Sequence, residues 1–338
     1  MIVTDVRDRP FEGVRELSAS VTFEGAPPET RRIWLRRPDP GEAGPGVADP
    51  LLAALLISAM ALGEDLVIEA PVTASLVDGA TTRVVPQLLE WHERLRPSAV
   101  TCDRVADGGP PGASAGTGCL FSSGVDSWHS FLRRRREIAA LVHIRGFEIR
   151  HDHEALWRQV HGHVRDVARE HGKDLIGVHT NFLDVALQAV TDRLARAGRA
   201  WRSLGTDAWY GSMLVAVGLA LRPRLDRLIV PASWSHHVDY PVASHPSMEP
   251  AWSTPSMAFE IDGFDTIRID KVRELVDRAP DVIPRIRVCI DTSGRVGERL
   301  NCGRCVKCMR LWMELRVCGA SGVEGLFSRR VTLRRAKR

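Results

Sequence analysis

The chain has 338 residues, of which 44% are hydrophobic and 26% charged, and its net charge is +4. That length exceeds one typical domain, and the composition excludes wholesale disorder. The longest apolar run, residues 51–62, is too short for a bilayer, which takes about 20 residues, and so modest a positive excess does not by itself indicate a nucleic-acid binder.

The opening stretch, MIVTDVRDRP, carries acids and no apolar segment, so no secretory signal is expected. Residues 14–23 and 30–36 read as two strands joined by a turn around Gly25–Pro28. Asp49-Pro50 before the apolar run marks a helix start, and Gly63 a helix stop. Residues 66–70 predict a strand, 85–95 an amphipathic helix and 100–105 another strand. This first block, residues 1–105, gathers no cluster of catalytic residue types and reads as a smaller α/β domain, a support or lid. Residues 106–117 form a Gly/Pro-rich linker.

After the linker the pattern becomes strand–helix–strand. Strands are predicted at 118–121, 139–144, 175–180 and 228–232, and helices at 127–136, 153–170 and 209–221. This alternation predicts an α/β fold with a parallel, doubly wound sheet over residues 118–320. Ligands in such sheets bind outside the carboxyl ends of the strands. A basic tail, residues 321–338, follows.

Leu120-Phe121-Ser122-Ser123-Gly124-Val125-Asp126-Ser127 runs from a strand through a hydroxyl-rich turn into a helix. Backbone amides at a helix start lack internal partners and carry the positive end of the dipole, so phosphate suits the position. Ser122, Ser123 and Ser127 offer hydroxyls. Asp126, the one acid of the loop, is positioned to hold Mg²⁺ against phosphates. An ordinary strand-to-helix turn with a serine cap is the competing reading.

Cys302, Cys305 and Cys308 are spaced CxxCxxC, and Cys289 lies upstream across a loop containing Gly294 and Gly297. Four thiolates close a tetrahedral Zn²⁺ shell with no open position. The spacing favours zinc over an iron–sulfur cluster or free buried thiols. Seven cysteines in all fit a reducing, cytoplasmic setting better than a disulfide framework.

The loop resembles the SGGxDS loop of the PP-loop ATP pyrophosphatases, with Ser123 where that loop has glycine. A serine is tolerated there if φ is negative. Together with Cys289…Cys302-Gly303-Arg304-Cys305-Val306-Lys307-Cys308-Met309-Arg310, the pattern resembles 7-cyano-7-deazaguanine synthase and its relatives. The resemblance implies a sheet of the type these enzymes share, with a C-terminal zinc knuckle of four cysteines. It implies ATP and Mg²⁺ as well as Zn²⁺, and adenylation of a small-molecule oxygen with release of pyrophosphate, followed by nitrogen transfer. Ser122, Ser123, Gly124, Val125, Asp126 and Ser127 would then hold pyrophosphate, and Ser122, Asp126 and Ser127 would act in catalysis. His143 and Ile144 would edge the adenine or ribose, and Gly211 and Ser212 would approach the α-phosphate. Asp239, Tyr240 and His245 would meet the acceptor. In the acceptor stretch, Ser244 to Pro250 replace the family's Cys-Arg-Pro-Glu. Sulfur transfer to tRNA or a metabolite, and a non-catalytic nucleotide-binding regulator, are the alternatives. A homo-oligomer without membrane attachment is expected, and nucleic acid is not favoured.

His236 and His237, beside His245 in a Pro- and Ser-rich loop, suit substrate binding or acid–base work about as well as a solvated cluster. His151, His153, His161 and His163 carry no metal motif and read as helix histidines.

Overall fold

The computed structural model describes residues 1–25, 27–38, 41–42, 44–106, 116–238, 240–290 and 299–331. Most of the predicted linker, Gly294, Gly297 and the end of the basic tail lie outside these.

The chain opens with β1 (Ile2–Phe11), β2 (Val14–Phe23) and β3 (Glu29–Arg37), then α1 (Asp49–Leu62), β4 (Leu66–Thr73), α2 (Ala74–Gly79), α3 (Val85–Trp91) and β5 (Val100–Val105). The alternation follows with β6 (Gly116–Leu120), α4 (Val125–Arg134), β7 (Ile138–Arg145), α5 (Glu154–Glu170) and β8 (Asp174–Thr180). Next come α6 (Ala189–Arg196), α7 (Tyr210–Ala220), β9 (Leu225–Pro231), α8 (Glu249–Trp252), β10 (Ala258–Asp262), α9 (Arg268–Arg278) and α10 (Val306–Val317).

The strands form one large, mostly parallel sheet in the order β10-β9-β6-β7-β8-β3-β2-β1-β4-β5. The β1–β2, β2–β3 and β3–β8 pairs are antiparallel, and β1–β4 and β4–β5 are parallel. The expected strand pair of residues 14–23 and 30–36 is the antiparallel β2–β3 hairpin, as a short turn requires. The parallel sheet expected over residues 118–320 is departed from at β8, which pairs antiparallel with β3. Strands β6, β7 and β8 are adjacent and linked through α4 and α5, the βαβ arrangement predicted from the alternation. No helix among the described residues is long and apolar enough to cross a membrane.

The chain divides into two compact units. The first comprises residues 1–117, 177–230 and 240–261; the second comprises 118–176, 231–239 and 262–338. The first unit thus draws on three separate stretches of the chain. The physical reason is α1, which is buried along nearly its whole length. A helix with no polar face requires apolar cover on all sides, and α7, equally apolar, packs against it within the first unit. The buried Asp49 at the start of α1 is compensated by Arg222 at 2.6 Å and by the Thr73 amide at 2.8 Å.

In the second unit α4 packs on α9. Phe121, Trp128 and Phe131 meet edge to face, with ring centroids 5.1–5.9 Å apart, and anchor the start of α4 beneath the loop.

Candidate functional site

The hydroxyl-rich loop joins the carboxyl end of β6 to α4. The Phe121 amide donates to Val142 O at 2.8 Å, which holds the loop entry against β7. Gly124 is the N-cap of α4 in extended conformation, so the first-turn amides of Val125, Asp126 and Ser127 have no carbonyl partner inside the helix. Ser122 is exposed. Ser127 is buried and donates to Gly124 O at 3.0 Å, which turns its hydroxyl inward, away from the role of phosphate donor expected for it.

Ser123 departs from expectation. Its φ is +63° rather than negative, in the left-handed region that disfavours a side chain. The side chain is fully buried and compensates through specific bonds. Its Oγ donates to Arg285 O at 2.8 Å and lies 3.0 Å from His163 Nε2. The Arg287 amide donates back to Ser123 O at 2.8 Å. His163 Nε2 lies 2.9 Å from the same Arg285 carbonyl. That carbonyl only accepts, so Nε2 carries the proton. Burial, opposed by the Arg285 bond, lowers the His163 pKa and keeps the ring neutral.

Asp126 is partly exposed, and both of its oxygens face cations. Arg268 Nη1 lies 2.8 Å from Oδ2 and Lys271 Nζ 3.4 Å from Oδ1. Lys271 is buried and also donates to Ala232 O at 2.6 Å. Arg268 is further paired with Glu314 at 3.3 Å. Burial is the leading influence on Lys271 and lowers its pKa; Asp126 opposes it. A divalent ion at Asp126 would meet two positive groups on the same carboxylate, so this arrangement does not fit Mg²⁺ there. What the arrangement assembles at the α4 N-terminus is a carboxylate neutralised by two cations, so that the first-turn amides lie beside no uncompensated loop acid. Neither Arg268 nor Lys271 was singled out from the sequence. The one available signal was the amphipathic spacing of Ile269, Val272 and Leu275, which marks α9 but not what its polar face meets.

His143 and Ile144 sit on β7 in the same unit. His143 is buried, its Nδ1 lies 3.1 Å from His161 Nδ1, and its ring stacks on Trp157 at 4.7 Å. Trp157 stacks on His161 at 4.6 Å. Burial lowers the His161 pKa, consistent with a neutral ring. The predicted nucleotide edge is thus already occupied by a ring stack, and only Ile144 of the pair is half-exposed.

Gly211, Ser212, Tyr240 and His245 belong to the first unit, and Asp239 lies outside the described residues. A Cβ on Gly211 would stand 2.1 Å from the Ser244 amide nitrogen, so glycine is needed for close backbone packing. The buried Ser212 Oγ donates to Trp209 O at 2.8 Å. His245 Nδ1 accepts from the Ser247 amide at 3.1 Å, and its ring meets the edge of Trp91 at 5.4 Å. In the second unit the His236 and His237 rings lie 4.0 Å apart.

The cysteine cluster assembles as predicted. Cys289, Cys302, Cys305 and Cys308 bring their sulfurs within 4.8 Å of one another. Cys302 and Cys308 Sγ are 3.9 Å apart, against about 3.8 Å for two sulfurs on a tetrahedral zinc with ~2.3 Å bonds. The amides of Arg304 and Cys305 donate to Cys302 Sγ, and that of Cys308 to Cys305 Sγ, each at 3.4 Å. Such donors stabilise thiolates. Hydrogen bonds from the Cys289 and Cys308 sulfurs hold Cys305 far below the ordinary thiol range. Gly303 makes the turn at φ +73°, where a Cβ would strike Arg329 O at 2.3 Å. Among the described residues these four side chains are the one group of His, Cys, Asp or Glu ligands that converges.

Asn301, not anticipated from the sequence, braces the cluster. Its buried side chain donates from Nδ2 to Ile286 O at 2.7 Å and accepts at Oδ1 from the Val288 amide at 3.0 Å. It therefore fixes the segment that delivers Cys289. No family model, curated protein or solved structure matches this chain.

Proposed function

We propose that this chain is an ATP-dependent ligase of the PP-loop pyrophosphatase kind, related to 7-cyano-7-deazaguanine synthase. It adenylates an oxygen of a small molecule and then replaces AMP with a nitrogen nucleophile. The observation that carries the reading is the convergence of the α4 N-terminus with Lys271 and Arg268 on one loop. A substrate oxygen attacks the α-phosphorus, the bond to the bridging oxygen breaks, and pyrophosphate leaves with the electron pair. The amides of residues 125–127, the exposed Ser122 hydroxyl and the two cations stabilise the charge gathering on pyrophosphate. Ammonia then attacks the activated carbon, and AMP departs. Mg²⁺ would arrive on the phosphates of ATP. The four-cysteine centre would hold Zn²⁺ as a closed structural site, with no position for substrate.

The sulfur-transfer alternative lacks a poised thiol. Burial is the leading cause that pushes Cys102, Cys119 and Cys318 up, away from the thiolate, and the other cysteines form the cluster. The test is pyrophosphate release from ATP with ammonium and a panel of carboxylate acceptors. Release that depends on acceptor and on Lys271 supports the ligase. ATP binding without turnover under every condition supports the regulator instead.

A further inference from the structure

The segment from Arg285 to Cys289 touches both chemical centres of the second unit. At its first end, Arg285 O receives the Ser123 hydroxyl at 2.8 Å, and the Arg287 amide donates to Ser123 O at 2.8 Å. Between these, Ile286 O and the Val288 amide are bracketed by Asn301, the residue before Cys302. At its far end stands Cys289, a member of the sulfur cluster. Five consecutive residues are thus tied alternately to the loop and to the metal knuckle. A short segment held on both sides by hydrogen bonds cannot shift at one end without straining the contacts at the other.

Ser123 is the strained residue of this contact. A non-glycine residue at φ +63° is held there by its surroundings and not by its own preference. Here the surroundings are the Arg285 carbonyl and His163. Glycine would adopt the same conformation unaided and would not report on the segment. A serine hydroxyl makes the shape of the loop conditional on where residues 285–287 lie, and that stretch is joined to the cluster through Asn301 and Cys289.

We propose that Ser123 is a positioning residue that couples the four-cysteine centre to the anion-binding loop, so that metal occupancy stabilises the loop and loop order retards metal loss. The first statement concerns only the loop and the metal. Its consequence for pyrophosphate rests on the function proposed above. Reading the coupling from the rate of metal loss avoids any need for a folded metal-free protein.

The experiment measures zinc transfer from the full-length, zinc-loaded protein to a chromophoric chelator. Ser123→Gly is the main variant, because it keeps the left-handed turn without the hydroxyl. Arg158→Ala, on the exposed face of α5, serves as the surface control. Val164→Ala, in the buried face of α5, serves as a control for general destabilisation of the same unit. Ser123→Gly is expected to release zinc about 10-fold faster, comparable in size to the smallest outer-shell effects on metal affinity, with Arg158→Ala at the wild-type rate. Inorganic pyrophosphate should slow release from the wild type and not from Ser123→Gly. Equal rates for wild type and Ser123→Gly would overturn the coupling, as would equally fast release from a Val164→Ala protein of matched melting temperature. Faster release from Ser123→Gly with no response to pyrophosphate would keep the coupling and reject pyrophosphate as the ligand of the loop.

Discussion

Lys271 Nζ lies 3.4 Å from Asp126 Oδ1 across 145 positions of sequence, and its other bond, to Ala232 O, ties it to the end of β9. This buried ammonium anchors the loop acid from behind. It puts a positive charge where the loop acid alone would repel an anion.

Lys271→Met should separate catalysis from stability. The methionine fills the volume, Arg268 still pairs with Asp126, and Ala232 O is left without its donor. Loss of one buried partner costs about 1–3 kcal/mol, partly offset because a buried cation is also removed. The expected result is a modest drop in the urea midpoint and a fall of about 10²-fold or more in pyrophosphate release. Turnover near the wild-type rate would remove Lys271 from the anion site.

Asn301→Ala should damage the metal knuckle without removing a ligand. Ile286 O and the Val288 amide would both lose their partner, at about 1–3 kcal/mol each. Asn301→Asp keeps the acceptor for Val288 but sets a buried carboxylate oxygen against Ile286 O and beside Cys308 Sγ, so it should be at least as damaging as Ala. Zinc content after gel filtration and the unfolding midpoint are the measurements. An alanine variant as stable and zinc-replete as wild type would refute the bracing role.

Gly211→Ala tests close packing in the first unit. Helix propensity alone favours alanine by about 1 kcal/mol. The added Cβ would stand 2.1 Å from the Ser244 nitrogen, and overpacking of this kind costs about 1–3 kcal/mol. A net loss of thermal stability is expected; a raised Tm would show that residues 243–244 yield freely.

Stability should decline as pH falls from about 7.5 to about 5.5, on either side of the ordinary histidine pKa. Burial is the leading cause that lowers the pKa values of His129, His161 and His163. The unfolded chain takes up protons near pH ~6.5, where the folded rings still resist them, so acid favours unfolding below that value. Urea midpoints across this range should fall, and His161→Phe should flatten part of the slope while keeping a ring against Trp157. A slope unchanged in His161→Phe would exclude His161 from the effect.

Much of the local structure was legible in residue order. The 14–23 and 100–105 strands match β2 and β5, and the Gly63 stop is a left-handed C-cap, because period-two patterns and glycine caps act over a few neighbours. The strand–turn–helix of the loop and the convergence of four cysteines were legible for the same reason, since short spacing constrains geometry directly. β1 was missed because the charges in IVTDVRDRPF interrupt its alternation. The partners of the loop were not legible. Lys271 beside Asp126, Arg285 beneath Ser123 and Asn301 between Ile286 and Val288 are through-space contacts, most of them over long separations, and such pairings leave no periodic trace. Only the packed chain decides that Ser123 is left-handed, because the compensating carbonyl lies 162 residues away. Only it decides that Asp126 faces cations, because α9 must first fold and dock on α4 to bring them there.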